Sequence, residues 1–240
     1  MKNSGSIVIA MIIASILNVA NAQSVNEVLD KHFKAVGQEK ITKIQSYHIK
    51  AKVSQMGMEM PMEMKIKKPD MFLVTIEMQG QKVIQAYDGE KGWMIIPMMS
   101  PDPQPLEGDQ LAQAKQQVQA NMEGELYNYT EKGSTAELIG KVNIEGDELY
   151  RVKLTSENGD AKDYFIDTKT YYVNRVKAKV SAQGQTVDVE QIMSDYKTVD
   201  GITTPMKIET KSPMGTGSLV MEEVKYNEKF DDAIFKLPAK

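Results

Sequence analysis

The chain contains no cysteine, two histidines, one tryptophan and only two arginines, Arg151 and Arg175. Each scarcity removes a class of chemistry. Without thiols there is no cysteine nucleophile, no thiolate metal site and no disulfide, so stability rests on packing and hydrogen bonds. The histidines, His32 and His48, stand apart, and no G-x-S-x-G elbow, H-E-x-x-H helix or phosphate-binding loop accompanies them. Nucleophile–base pairs of the usual kinds are nearly excluded, and the chain reads as non-enzymatic. Carboxylates such as Asp163 and Asp167 have the chemistry for acid–base work, but a solvated strand face accounts for them more simply. The net charge is −4 with both signs interspersed, which gives no clustered basic face for nucleic acid. After the N-terminal stretch, no apolar run is long enough to cross a membrane.

That N-terminal stretch has the parts of a cleavable export signal. Lys2 is a short positive region, Ile7 to Val19 is apolar except for Ser15 and Asn18, and Ala20-Asn21-Ala22 is an A-x-A cleavage site. Residues 1–22 are therefore expected to be a signal peptide removed after Ala22. No cysteine follows to take a lipid anchor, so a soluble mature chain is expected.

Residues 23–240 are expected to form one domain, since no linker divides them. Ser24-Val25-Asn26-Glu27 has the form of a capping box, apolar residues follow at helical spacing, and Gly37 suits a C-terminal cap. This predicts a helix over Ser24 to Val36. Short β-rich segments follow at Tyr47–Gln55, Met60–Lys68, Met71–Met78, Gln81–Asp88 and Gly92–Pro97, separated by glycine and proline turns. Pro97, Pro101, Pro103 and Pro105 are expected to form a loop that pairs with nothing. Asp109 to Met122 is expected to be a second amphipathic helix, with Leu111, Ala114, Val118 and Met122 on one side. Seven further strands run from Ala136 to Tyr226, so an antiparallel meander dominates.

Methionine is what the chain has in excess, with 17 copies. In Met56-Gly57-Met58-Glu59-Met60-Pro61-Met62-Glu63-Met64-Lys65-Ile66, strand alternation places five methionines and Ile66 on one face. Pro61 marks an edge or bent strand. Three readings stand side by side: ordinary core packing, an adaptable apolar cavity, and a Cu(I) site built from thioethers.

The order of elements and several motifs resemble the LolA-like family of periplasmic lipoprotein carriers and outer-membrane lipoprotein-sorting proteins. Tyr87-Asp88-Gly89-Glu90-Lys91-Gly92-Trp93 is similar to the family's Y-D-G-x-x-x-W turn. Tyr164-Phe165-Ile166-Asp167 followed by Tyr171 to Val176 is similar to its strand–Asp–turn–strand signature. Asp195-Tyr196-Lys197 with Gly201-Ile202-Thr203-Thr204-Pro205 resembles its D-Y-x-x-x-x-G-I-x-x-P segment, and Phe235-Lys236-Leu237-Pro238 resembles its closing F-x-x-P. The resemblance implies an α+β, mainly antiparallel fold: an incomplete, half-open β-barrel whose apolar concave face is covered by helices. It further implies a periplasmic, monomeric, cofactor-free carrier that shelters acyl chains of lipoproteins or lipids and meets membrane-bound loading and receiving proteins. The expected lipid-binding wall is Met58, Met60, Met62, Met64, Phe72, Val74, Ile76, Met78 and Trp93, with Leu111, Ala114, Val118 and Met122 facing it from a lid. An envelope sensor on the same fold is a second possibility and a Cu(I) protein using Met56 to Met64 a third. One departure is that family carriers pin the lid with an early-strand arginine, whereas both arginines here are late.

Overall fold

Ser24 opens the first helix as its pattern with Glu27 requires. The computed structural model describes residues 24–108, 110–112, 114, 123–182 and 185–238. Helix α1 (Val25–Val36) begins with a full capping box: the Glu27 N–H donates to Ser24 Oγ, and the Ser24 N–H donates to the Glu27 carboxylate. Two of the N–H groups that a helix start leaves without partners are thereby satisfied. Gly37 ends α1 in the left-handed region at φ 77°. A side chain there is excluded twice over, because a Cβ would lie 2.2 Å from the Gly201 carbonyl oxygen. A short helix not anticipated above, α2 (Gln38–Ile41), follows directly. The expected signal peptide lies outside the described residues, as does most of the expected second helix. Of the latter, Gln110 to Ala112 and Ala114 are helical, as are the flanking Gly108 and Glu123.

The strands follow in chain order as β1 (Ser46–Gln55), β2 (Met58–Lys67), β3 (Met71–Met78), β4 (Gln81–Tyr87), β5 (Gly92–Ile96) and β6 (Ser100–Leu106). After the intervening segment come β7 (Thr135–Ile144), β8 (Asp147–Thr155), β9 (Ala161–Asp167), β10 (Val173–Ala182), β11 (Gln185–Val199), β12 (Ile202–Ser212) and β13 (Gly215–Tyr226). All join one antiparallel sheet in the order β6-β5-β4-β3-β2-β1-β13-β12-β11-β10-β9-β8-β7. The sheet is therefore two meanders fused where β1 pairs with β13, the only neighbours not consecutive in sequence. Among the described residues, β6 and β7 are its edges and do not pair with each other, so the barrel is incomplete.

The proline-rich stretch corrects the sequence expectation. It pairs, as β6, with Gly92 opposite Leu106, Trp93 opposite Pro105 and Met94 opposite Gln104. Pro101, Pro103 and Pro105 stand at alternate positions, so their missing donors fall on one side of the strand. An edge strand has one side without a partner, and proline there also blunts it against further pairing. Pro61 fits its expectation only locally. β2 lies inside the sheet, but its ladder with β3 starts at Met62, one residue past the proline.

α1 packs its inner face on the β7–β10 end of the concave surface. Val28 and Leu29 are fully buried there against Tyr150, Val152, Leu154, Tyr164, Ile166 and Val176. A second cluster joins Ile66, Phe72, Tyr87, Leu106 and Ala114 at the other end.

Candidate functional site

Between these clusters the concave face is not filled. Register brings its wall together: Tyr47 opposite Ile66 and Ile49 opposite Met64 on β1 and β2, with Met62 next on that face of β2. On the other side of β1, Tyr47 stands opposite Tyr226 and Ile49 opposite Val224, with Met221 and Leu219 further along β13. Side chains opposite each other in a ladder share a face. With Met193, Tyr196 and Ile208 from β11 and β12, and Val36 and Ile41 from the helices, they enclose about 420 Å³. That lies within the ~300–1,000 Å³ typical of ligand sites.

The polar groups around this hollow already have partners. His32 Nδ1 lies 2.7 Å from the Tyr171 carbonyl oxygen. A carbonyl only accepts, so Nδ1 carries the proton. Burial holds the His32 pKa below its ordinary value, against the opposing pull of that hydrogen bond. The Tyr196 hydroxyl donates to the Val173 carbonyl at 2.5 Å and that of Tyr164 to Glu125 at 2.6 Å. Burial pushes the phenols of Tyr47, Tyr164 and Tyr196 far up, so they stay neutral. Among the described residues, the one buried side-chain polar atom without a partner is Ser156 Oγ, which is not in this wall. The hollow thus presents apolar surface and no unmet demand for a polar ligand.

At its mouth the end of the intervening segment is tied down. Gln38 Nε2 donates to the Glu123 carbonyl at 2.9 Å, and Lys68 Nζ donates to the Glu123 carboxylate and the Thr42 carbonyl, each at 3.0 Å. The arginines are elsewhere. Arg151 makes a two-point pair with Asp163, and Arg175 pairs with Glu145 and Glu190. The carboxylates considered for catalysis have structural employment: Asp163 holds Arg151, and Asp167 accepts from the Lys169 and Thr170 N–H groups of its turn.

The expected wall divides by position. Met62 and Met64 line the hollow. Met60 and Met58 continue the same face of β2 toward its turn, and Met58 is 49 % exposed. Phe72 and Val74 pack beside the hollow with Leu111 and Ala114, while Ile76 and Met78 extend that face of β3. Val118 and Met122 lie outside the described residues. Trp93 is a correction: it stands opposite Ala86, on the other face from Met94, and its Nε1–H donates to the Phe235 carbonyl at 2.8 Å. It fastens the C-terminal segment to the convex side. The floor contributed by β11–β13 was missed: Ile208 does stand between Lys207 and Glu209, but Leu219-Val220-Met221 is an unbroken apolar run in which alternation assigns no side.

Of the motifs carrying the resemblance, Tyr87 to Trp93 is turn chemistry. Asp88 Oδ1 accepts from the N–H groups of Glu90 and Lys91, and the Tyr87 hydroxyl donates to the Gly89 carbonyl. Two other motifs do reach ligand space: Tyr164, Val173 and Val176, and Tyr196 with Ile202 to Pro205, line the hollow.

No protein-family model and no curated protein matches the sequence. Solved structures do match. A DUF1329 family protein from Desulfovibrio piger superposes with a TM-score of 0.60 at 16% identity, over 87% of this chain and 97% of that one. A LolA superfamily protein from Nitrosomonas europaea gives 0.55 at 13% identity, over 89% and 97%. A Vibrio parahaemolyticus domain, named for a proposed role in outer membrane lipoprotein sorting, gives 0.55 at 10% identity, over 87% and 97%. At such identities the likeness is one of architecture, and the architecture of this chain is LolA-like.

Proposed function

We propose that residues 23–240 form one non-enzymatic carrier domain that shelters acyl chains of lipoproteins or lipids during transit through the periplasm. The carrying observation is the hollow itself: about 420 Å³ between helices and sheet, walled by Ile, Val, Leu and Met and by the rings of Tyr164, Tyr196 and Tyr226, whose hydroxyls are already bonded. Burial of an acyl chain gains roughly 0.8 kcal/mol per CH₂, so a chain of about fifteen carbons crosses water only with something on the order of 12 kcal/mol supplied. A wall rich in unbranched methionine adapts to such a chain without a fixed shape. The LolA-like architecture supports the same reading, and membrane-bound proteins that load and receive the cargo would complete the cycle.

The test is direct. Lipids extracted from protein purified without detergent are identified by mass spectrometry, and exchange is followed by displacement of a fluorescent fatty acid. Acyl lipid should co-purify or exchange, and Met64→Glu should weaken fatty-acid binding at least tenfold while the fold persists. Absence of any acyl ligand, together with Cu(I) binding lost in Met58→Leu and Met60→Leu, would overturn it.

A further inference from the structure

Over the part of the sheet from β6 through β1 and β13 to β12, the two ends differ in a way the cavity does not require. Because neighbours are antiparallel, the turns β1–β2, β3–β4, β5–β6 and β12–β13 lie at one end, and they are consecutive along the sheet. Their residues, 55–58, 78–81, 97–101 and 212–217, include no charged and no aromatic side chain. They hold six methionines, of which Met56, Met58, Met98, Met99 and Met214 are exposed by 78, 49, 72, 82 and 61 %. Turns of the same strands at the opposite end carry Lys67, Lys68 and Asp70, Asp88, Glu90 and Lys91, and Asp200. Beyond these strands, the β8–β9 turn, at the methionine end, carries Glu157 and Asp160. Turn geometry does not account for the choice. Met56 sits at φ 51°, where Asn, Asp or Gly is the ordinary occupant.

Single exposed apolar residues need no explanation, but a row gathered along one rim does. The rim also connects to the cavity. Met58, Met60, Met62 and Met64 occupy one face of β2 and pass from exposed at the turn to buried at Met62. Protein–protein interfaces are anchored by Trp, Tyr and Arg, none of which is present on these turns. Entry into hydrocarbon instead demands the absence of charge, since charges pay heavily to leave water.

We infer that this methionine rim seats the protein on a lipid bilayer, its hairpin tips entering the surface so that acyl chains pass to and from the cavity along β2. The inference rests on the carrier reading for the cargo, but not for the docking. With no charge on the tips, adsorption is insensitive to salt, unlike attraction by a basic patch.

The experiment is co-flotation of the mature chain with phosphatidylcholine vesicles at low and high salt. The wild type should float at both, and Met98→Asp/Met99→Asp and Met56→Gln/Met214→Gln should each cut vesicle partitioning at least tenfold. Thermal midpoint and affinity for a soluble fluorescent fatty acid should stay unchanged in both variants. A wild type that stays with the soluble fraction, flotation equal in the variants, or flotation abolished by salt overturns the docking. So does sedimentation analysis in which the rim instead drives self-association. A wild type that floats yet takes up no soluble fatty acid keeps the docking and removes the carrier reading.

Discussion

Over β7, β8 and Ile166 of β9 the concave face is filled, whereas from Tyr164, Val173 and Val176 across β11–β13 to β1 and β2 it borders a hollow. The filled part consists of side chains with no exposure, Val28 and Leu29 from α1 seated on Val152 and Ile166. Burial of each such side chain is worth about 1.5–3 kcal/mol. The hollow part is walled by half-buried Met193, Ile208 and Leu219, which face a void. A void forfeits the contacts its lining would otherwise make, so it is a cost to the fold. One helix, closed at both ends by Ser24 and Gly37, offsets that cost at a distance. Stability and capacity are thus assigned to different stretches of the same sheet.

Substitution can break that division. Leu29→Ala should cost about 2–5 kcal/mol, a fall of roughly 4–20 °C in Tm for a chain of this size. Leu219→Ala should cost about 1 kcal/mol or less, because the side chain already borders empty space. Equal losses in thermal unfolding would remove the distinction. Enlargement tests it from the other side. Val152→Phe, in the filled region, should destabilise by about 1–3 kcal/mol. Ile208→Phe should leave Tm nearly unchanged while weakening fatty-acid binding at least tenfold, because the ring takes ligand space. Ser24→Ala should cost about 1 kcal/mol through the lost cap, read again as Tm. Fatty-acid affinity should hold in that variant if α1 acts as a plug.

What was legible in the sequence is what is local. Alternation and turn residues placed β3 and β9 at their observed bounds, and the capping pattern located α1. The floor of the cavity was not legible because it depends on β1 meeting β13, for example Ile49 opposite Val224, residues brought together only by the whole meander. Trp93 went to the wrong face for a physical reason: Trp93, Met94, Ile95 and Ile96 are all apolar, so alternation assigns no side. The methionine run showed its face but not its depth. Its passage from rim to cavity depends on where the β2–β3 ladder stops, near Pro61.

The smallest expected effect concerns the boundary between the two regions, where His32 belongs both to the inner face of α1 and to the cavity wall. Its pKa is lowered by burial, so between that lowered value and about 6.5 the unfolded chain binds more protons than the folded one. Stability contributed by neutral His32 is therefore complete above about pH 6.5 and falls as the pH drops through that window. His32→Gln, which keeps a donor for the Tyr171 carbonyl but does not titrate, should lose less Tm than wild type between neutral and mildly acid pH. The comparison of the two slopes isolates this histidine from the carboxylates, which titrate in both proteins. An acyl ligand packed against the ring would deepen its burial and steepen the wild-type slope, whereas a ligand confined to the β2 side would leave it unchanged.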